Sequence, residues 1–284
     1  MSGGVVAVVL AAAFLHATWN SLVKSAPDKF AASAVVCLWC GVFAAGLALA
    51  LPLPSPASYY CVAASAVIHV VYFFLVGLLY RNADLSVAYP LMRGTAPLIA
   101  AGIAAFALRE LPSLGMLVGA ATIVLGVLTL ASDGLAKGRA DRATVAVALI
   151  NAVVIATYSV VDGLGARLAG PDAADAIAYN AWTDAATAVL FAPAIAVIRG
   201  SSVFRAFWTE RTRGAIGGAA AFVGYSGVCW AMTVAPISVV AALRETSAFF
   251  AAAIGALFLA EPIGRVKAGA IGLIVLGAGV LSSV

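Results

Sequence analysis

The sequence predicts an all-α integral membrane protein with ten transmembrane helices in two inverted five-helix repeats. Three observations predict this fold: an apolar composition, ten apolar stretches of membrane-spanning length, and polar motifs that recur between the two halves. Of the 284 residues, 64% are hydrophobic and only 10% are charged, and the mean hydropathy is +1.09. A soluble domain is about half apolar and about a quarter charged. The composition therefore excludes a soluble enzyme, a nucleic-acid-binding protein and a disordered chain.

The apolar stretches divide the chain evenly. About 20 apolar residues in an α-helix cross the hydrocarbon core of a bilayer. The stretches cover residues 4–22, 30–51, 59–80, 85–107 and 113–131 in the first half, and 143–163, 174–198, 214–234, 238–259 and 265–283 in the second. We therefore expect one five-helix repeat at 1–131 and another at 144–284, joined by a cytoplasmic linker at 132–143.

Polar motifs recur between the halves at offsets that differ by loop-sized amounts. A shift of 151 residues overlays four pairs: Arg93 on Arg244, Thr95 on Thr246, Glu110 on Glu261 and Gly126 on Gly277. Shifts of 139 and 143 residues overlay Trp19 on Tyr158 and Trp39 on Trp182. Because five is an odd number, the second repeat would enter the membrane with inverted orientation, an architecture that places a binding site between the repeats.

Basic residues in the loops predict the orientation. Of the 16 Lys and Arg residues, 12 fall at one membrane face, only Arg109 and Arg167 fall at the other, and Arg93 and Arg244 lie within spans. The positive-inside rule puts the richer face in the cytoplasm and both termini outside. The expected location is the plasma membrane, here a bacterial inner membrane. Because the basic residues are scattered singly, they favour an orientation signal over nucleic-acid binding.

A few charged side chains within the spans are candidate functional residues. Each costs about 2.5–3.5 kcal/mol at a helix centre on insertion scales. Arg93 and Arg244 are a repeat-related pair whose guanidinium groups suit a carboxylate or phosphate. Asp184 and Glu245 are candidates for ion coupling or for ion pairs with these arginines that fasten the helices together. Asp162, near the predicted end of the sixth span, is expected to reach the membrane interface.

Polar and aromatic side chains extend this candidate site. His16, Trp19 and Asn20 lie close together on the first span, and an amide facing lipid would be unsatisfied, so we expect this face to line a cavity or another helix. His69 is expected to be an ordinary buried histidine, and Tyr179 an interfacial residue. The candidate substrate-binding residues are His16, Trp19, Asn20, Tyr72, Tyr89, Arg93, Tyr158, Trp182 and Arg244. Ordinary helix packing is the alternative for about half of the aromatic residues.

The sequence indicates neither a metal site nor an enzyme. Cys37 and Cys40 have CxxC spacing, but no second Cys or His pair completes a metal site, so we expect them to be packing residues. A membrane enzyme would need a catalytic cluster, whereas the two histidines are distant and no acidic motif has metal-ligand spacing. We therefore expect no cofactor. The expected partners are a small-molecule substrate and membrane lipid, and a monomer is compatible with the sequence.

Two motifs in this arrangement resemble a known family. Arg93-Gly-Thr-Ala-Pro97 leading to Arg109-Glu110, and Arg244-Glu245-Thr246 leading to Glu261-Pro262, are similar to the EamA type of the drug/metabolite transporter superfamily. The resemblance covers essentially the whole chain. It implies a secondary transporter that exports amino acids, aromatic or hydrophobic ones in one branch, and similar metabolites by alternating access. It also implies a central cavity between the first four helices of each half. An organophosphate or nucleotide-sugar exchanger, with both arginines on phosphate, is the alternative.

Overall fold

The computed structural model consists of α-helices joined by short loops, and it describes residues 1–82, 85–136, 138, 140–258 and 264–283. The first half contains α1 (Gly3–Lys24), α2 (Lys29–Ala48), α3 (Tyr59–Asn82), α4 (Leu85–Leu108) and α5 (Leu114–Ala136). The second half contains α6 (Arg142–Ala169), α7 (Ala173–Arg199), α8 (Ser202–Thr209), α9 (Arg211–Val234), α10 (Ile237–Arg244), α11 (Ser247–Phe258) and α12 (Arg265–Ser283). Ten stretches of the described residues are long and apolar enough to cross a membrane. The prediction of a multi-pass membrane protein is confirmed.

The helix boundaries differ from the predicted ones at several places. Helix α5 continues to Ala136, so the predicted linker at 132–143 is helical over its first residues. Helix α6 runs six residues beyond its predicted end, to Ala169, and the ninth span is divided into α10 and α11. The short helix α8 has no counterpart in the predicted elements. Of the residues used above, Glu261 and Pro262 lie outside the described residues.

Side chains that accept backbone hydrogen bonds begin several of these helices. The carboxylate of Asp28 accepts a hydrogen bond from the backbone N–H of Ala31 (2.9 Å) at the start of α2. Asp141 accepts one from Thr144 (2.7 Å) at the start of α6, and this bond lowers the pKa of the Asp141 carboxyl. Both caps satisfy N–H groups that have no partner within the first helical turn. They fix where the chain turns back into the membrane.

The helices of one half pack against those of the other in matching pairs. Helix α1 packs on α9, and α6 packs on α3. Helix α1 also packs on α10 and α11, while α6 packs on α4. Between the halves, α2 also packs on both α7 and α9, α3 packs on α7, and α5 packs on α12. Helices α1, α3, α4, α6, α9 and α10 therefore surround the middle of the molecule, and α5 and α12 lie together at one side.

Ion pairs join the loops at both ends of the helices. At one end, the Arg167 guanidinium contacts the Glu110 carboxylate (2.9 Å) and donates to the backbone oxygens of Met232 (2.8 Å) and Ala235 (3.0 Å). The other oxygen of Glu110 accepts from the backbone N–H of Ile237 (2.9 Å). At the opposite end, Arg199 of α7 pairs with Asp28 before α2. Each pair joins a loop or helix end of the first half to the second.

Candidate functional site

A small cavity lies at the centre of the helix bundle, between α1, α9 and the end of α10. Its volume is about 20 Å³, and its polar lining comes from His16, Trp19, Tyr225 and Arg244. The indole N–H of Trp19 donates to Nδ1 of His16 (3.2 Å). Nε2 of the same His16 ring is buried and has no hydrogen-bond partner among the residues that the structure describes. The amide of Asn20 donates to the backbone oxygen of His16 (2.8 Å), within its own helix. A space of this size holds about one water molecule.

Arg93 and Glu245 form an ion pair beside this cavity. Nε of Arg93 donates to Oε2 of Glu245 (2.9 Å), and Nη2 of Arg93 lies 2.8 Å from Oε1. Both side chains are only 1% exposed. The first contact is a hydrogen bond and the second is an ion-pair contact. Hydrogen bonds between charged groups are stronger than those between neutral groups. The pair links α4 of the first half to the junction of α10 and α11 in the second.

This junction interrupts the ninth membrane span. The backbone N–H groups of Glu245 and Thr246 bond to oxygens three residues back (3.0 and 3.1 Å), and so does that of Ala248 (3.0 Å). The hydroxyl of Thr246 donates to the Leu243 oxygen (2.8 Å), which competes with the regular helical pattern. Bonds of this shorter kind keep the backbone satisfied inside a membrane. The turn brings Glu245 to Arg93 and leaves Arg244 at the cavity.

Arg244 has no carboxylate partner among the described residues. Its side chain is 3% exposed, and none of the described carboxylates lies within 4 Å of its guanidinium. Within the described part of the chain, its one polar contact is a long hydrogen bond to the hydroxyl of Ser159 (3.4 Å), and its Nε has no hydrogen-bond partner there. Its guanidinium carbon lies 5.9 Å from the ring centre of Tyr158 and 5.5 Å from that of Tyr225. Aromatic rings at such distances stabilise a cation without neutralising it.

A buried carboxylate behind these rings corrects two expectations. Asp162 is fully buried rather than interfacial, and it accepts hydrogen bonds from the hydroxyls of Tyr225 (2.6 Å) and Tyr179 (2.9 Å). Tyr179 is also fully buried, so its expected place at the interface is wrong. Both errors follow from ending the sixth span too early and from reading Tyr179 by its position alone. The sequence did contain a signal that Asp162 faces the site, because Asp162 follows Tyr158 by four residues and so lies on the same helix face.

More aromatic side chains pack around Tyr158. His69 stacks on its ring, with centroids 4.2 Å apart, and its Nδ1 lies 3.0 Å from the hydroxyl of Ser65. Tyr72 meets the Tyr158 ring edge-on at 5.5 Å. Tyr89, one turn before Arg93, packs against the same cluster. Histidine and tyrosine rings from both halves therefore form one wall beside Arg244.

Trp182 and Asp184 lie apart from this wall, where α7 packs against α2 and α9. Asp184 accepts hydrogen bonds from the amide of Asn180 (3.1 Å) and the thiol of Cys40 (3.5 Å). The Asn180 amide also donates to the hydroxyl of Ser226 (3.0 Å). Trp182 packs against a separate apolar cluster that includes Cys40. Seven of the nine candidate substrate-binding residues thus lie at or beside the central wall, whereas Trp182 lies elsewhere.

The described residues hold no arrangement typical of a metal site. No three His, Cys, Asp or Glu side chains among them lie close enough to bind one ion. The four cysteines are free and buried. Cys37 packs with apolar residues of α7, including Phe191.

The charges of the central site suit a small solute with separated positive and negative groups. Arg244 offers a guanidinium fork to an anion, and the unpartnered Nε2 of His16 lies at the same cavity. Asp162 and Glu245 supply negative charge nearby, each already bonded to a protein donor. Tyrosine and tryptophan rings provide an apolar surface.

Comparison with known proteins identifies the fold. No protein-family model and no curated protein matches the sequence. Among the 26 matching chains of solved structure is one described only as a crystal structure of a protein. It is 20% identical, has a TM-score of 0.72, and the match covers 100% of this chain and 98% of that one. This chain is thus similar over its whole length to a known fold.

Proposed function

We propose that the protein is a secondary transporter that exports amino acids and similar small metabolites through a central site. Aromatic or hydrophobic amino acids fit the rings of Trp19, Tyr72 and Tyr158. The transport step moves a solute without changing it, so no catalytic residue is assigned. The natural partners in this proposal are the solute and the surrounding lipid.

The observation that carries the proposal is Arg244. Keeping a guanidinium inside a membrane protein without a carboxylate contact is costly, and a substrate carboxylate would offset that cost. Arg93, by contrast, already contacts both carboxylate oxygens of Glu245. We therefore assign the substrate carboxylate to Arg244 and a positioning role to Arg93, which holds the turn that presents Arg244.

Helix packing supports two inverted repeats. The contact of α1 with α9 matches that of α6 with α3, as expected if α1 corresponds to α6 and α3 to α9. The pairs α2–α7 and α5–α12 would each lie across the two-fold axis. Together with the motifs at Arg93 and Arg244, this pattern supports membership of the drug/metabolite transporter superfamily, EamA type.

Alternating access fits the closed geometry of the site. A cavity of about 20 Å³ is too small for an amino acid, so side chains or helices must move to admit one. Rocking of one repeat against the other would open the centre to one face at a time. The Glu110–Arg167 and Asp28–Arg199 pairs join the halves at opposite ends, and one of them would separate in each open state.

Counterflow in proteoliposomes tests the function. Vesicles preloaded with mixed amino acids should take up labelled Phe, Thr or Met when they contain the wild-type protein. Arg244→Gln should abolish this uptake, because the variant cannot pair with the carboxylate. Arg142→Gln removes an exposed arginine at the start of α6 and should transport as the wild type does.

Two outcomes would change the assignment. Folded wild-type protein that exchanges no amino acid would contradict the proposal and favour the organophosphate or nucleotide-sugar alternative. Uptake that survives Arg244→Gln would show that Arg244 does not hold the carboxylate. The geometry favours amino acids, because a phosphate dianion needs more positive charge than one arginine without a carboxylate contact supplies.

A further inference from the structure

The short helix α8 lies level with the ends of the membrane spans. Val203 is buried in a cluster with residues of α2 and α7, including Ile195, which lies one turn from the end of α7. Phe207 stacks on Trp39 of α2, with ring centroids 4.8 Å apart and planes 7° apart. These contacts hold α8 against the sides of two spans. Because α8 connects the end of α7 at Arg199 to the start of α9 at Arg211, it lies at the ends of these two spans, where the hydrocarbon core of a bilayer gives way to headgroups.

A second face of α8 presents large apolar rings outward. Phe204 is 49% exposed and Trp208 is 63% exposed. The two are four residues apart, so they lie on one side of the helix. Tryptophan is enriched at membrane interfaces, where the ring meets acyl chains and the N–H meets the headgroups. Two neighbouring rings at this depth are typical of a helix that lies in the plane of the interface.

Exposed arginines flank these rings. Arg205 and Arg211 are exposed, and none of the described carboxylates lies within 4 Å of either guanidinium. Two nearby arginines do have carboxylate partners, since Arg199 pairs with Asp28 and Arg213 pairs with Glu210. Two positive charges beside two outward-facing aromatic rings thus remain available to an external anion.

We propose that α8 is an interfacial helix that binds acidic phospholipid. The rings of Phe204 and Trp208 lie among the upper acyl chains, and Arg205 and Arg211 contact the phosphate and acidic headgroup. Apolar burial and attraction to acidic lipid add together in such helices. This inference is independent of the transported solute, since α8 contributes no side chain to the central site.

Quenching of Trp208 fluorescence tests the proposal on the full-length protein. The protein is placed in phosphatidylcholine nanodiscs that contain a fixed fraction of lipid with brominated acyl chains. This lipid is either phosphatidylglycerol or phosphatidylcholine. The protein has five tryptophans, so the Trp208 signal is the difference between the wild type and Trp208→Phe. Brominated phosphatidylglycerol should quench Trp208 more strongly, and added salt should reduce that preference.

Variants that remove arginines separate binding of acidic lipid at α8 from attraction of acidic lipid by the overall charge of the protein. Arg205→Gln/Arg211→Gln should reduce the preference for phosphatidylglycerol, by about fivefold for each arginine and about thirtyfold for both. Arg142→Gln/Arg265→Gln removes two exposed arginines from the same end of the molecule and should retain the preference. The two single variants at Arg205 and Arg211 extend the test if the double variant does not fold.

Three results would overturn the inference. Equal quenching by the two brominated lipids would show that acidic headgroups are not selected. Absence of Trp208 quenching by either lipid would show that α8 faces water or a protein partner. An equal loss of preference in both double variants would show that overall charge, and not α8, attracts the acidic lipid.

Discussion

The buried pair of Arg93 and Glu245 makes a sharp prediction for single residues. Removing one member leaves the other charge buried and unpaired, which costs about 3–5 kcal/mol. We expect Arg93→Gln and Glu245→Gln each to lower the thermal unfolding midpoint in detergent strongly. The double variant should lose less than the sum of the two, because it leaves no lone charge. Losses that simply add would show that the two side chains do not interact, and the exposed Arg205→Gln serves as the control.

The sequence selected these residues as candidates but did not predict their partners. The insertion cost of a charge selects Arg93, Arg244 and Glu245 without any structure. Which arginine meets Glu245 depends on the approach of α4 to the α10–α11 turn, and spacing along the chain does not encode that approach. Glu245 pairs with Arg93 and not with Arg244, its neighbour in sequence. Asp162 was misplaced for a related reason, since its burial depends on Tyr179 and Tyr225 from other helices.

The division of the ninth span between α10 and α11 illustrates the same limit for whole elements. The turn at Glu245 and Thr246 contains neither glycine nor proline, the residues that usually mark a break. Its cause is local competition from the Thr246 hydroxyl together with a distant contact to Arg93. Apolar runs of the right length predicted the ten spans, because membrane thickness sets that length. Helix α8 was not predicted, because eight residues are too few to show a membrane-spanning pattern.

Close packing of α5 against α12 predicts opposite effects for two glycines of one helix. A Cβ at Gly277 would lie 2.7 Å from the backbone oxygen of Gly119, whereas a Cβ at Gly272 would meet nothing within 4 Å. We expect Gly277→Ala to lower the free energy of unfolding by about 1–3 kcal/mol through overpacking. Gly272→Ala should be neutral or stabilising, since alanine favours helix.

Thermal unfolding of the two variants in one detergent measures this difference. An equal midpoint for Gly277→Ala and Gly272→Ala would contradict the close approach of the helices. Gly277 and Gly126, which a shift of 151 residues overlays, both lie on this contact, where a Cβ at Gly126 would be 2.8 Å from the Ala270 oxygen.

For the whole molecule, the unequal distribution of Lys and Arg between the two membrane faces predicts that both termini face outward. The four native cysteines are free and buried, so an introduced thiol can be labelled selectively. In intact cells, an impermeant maleimide should label Gly3→Cys and Ser283→Cys, both exposed positions at the termini. It should label Ser201→Cys, in the loop before α8, only after the membrane is permeabilised. The reverse pattern would invert the assigned orientation, and labelling of one terminus alone would contradict the even number of spans.

The central charges also have an electrical consequence. Two arginines, Arg93 and Arg244, and two carboxylates, Asp162 and Glu245, sum to zero when each carries its usual charge. Moving one elementary charge through 100 mV involves about 2.3 kcal/mol. Under the proposed function, a zwitterionic amino acid that crosses without an accompanying ion moves no net charge, so its passage does no electrical work. Membrane voltage would then neither drive nor oppose export, and the concentration gradient of the solute would set its direction.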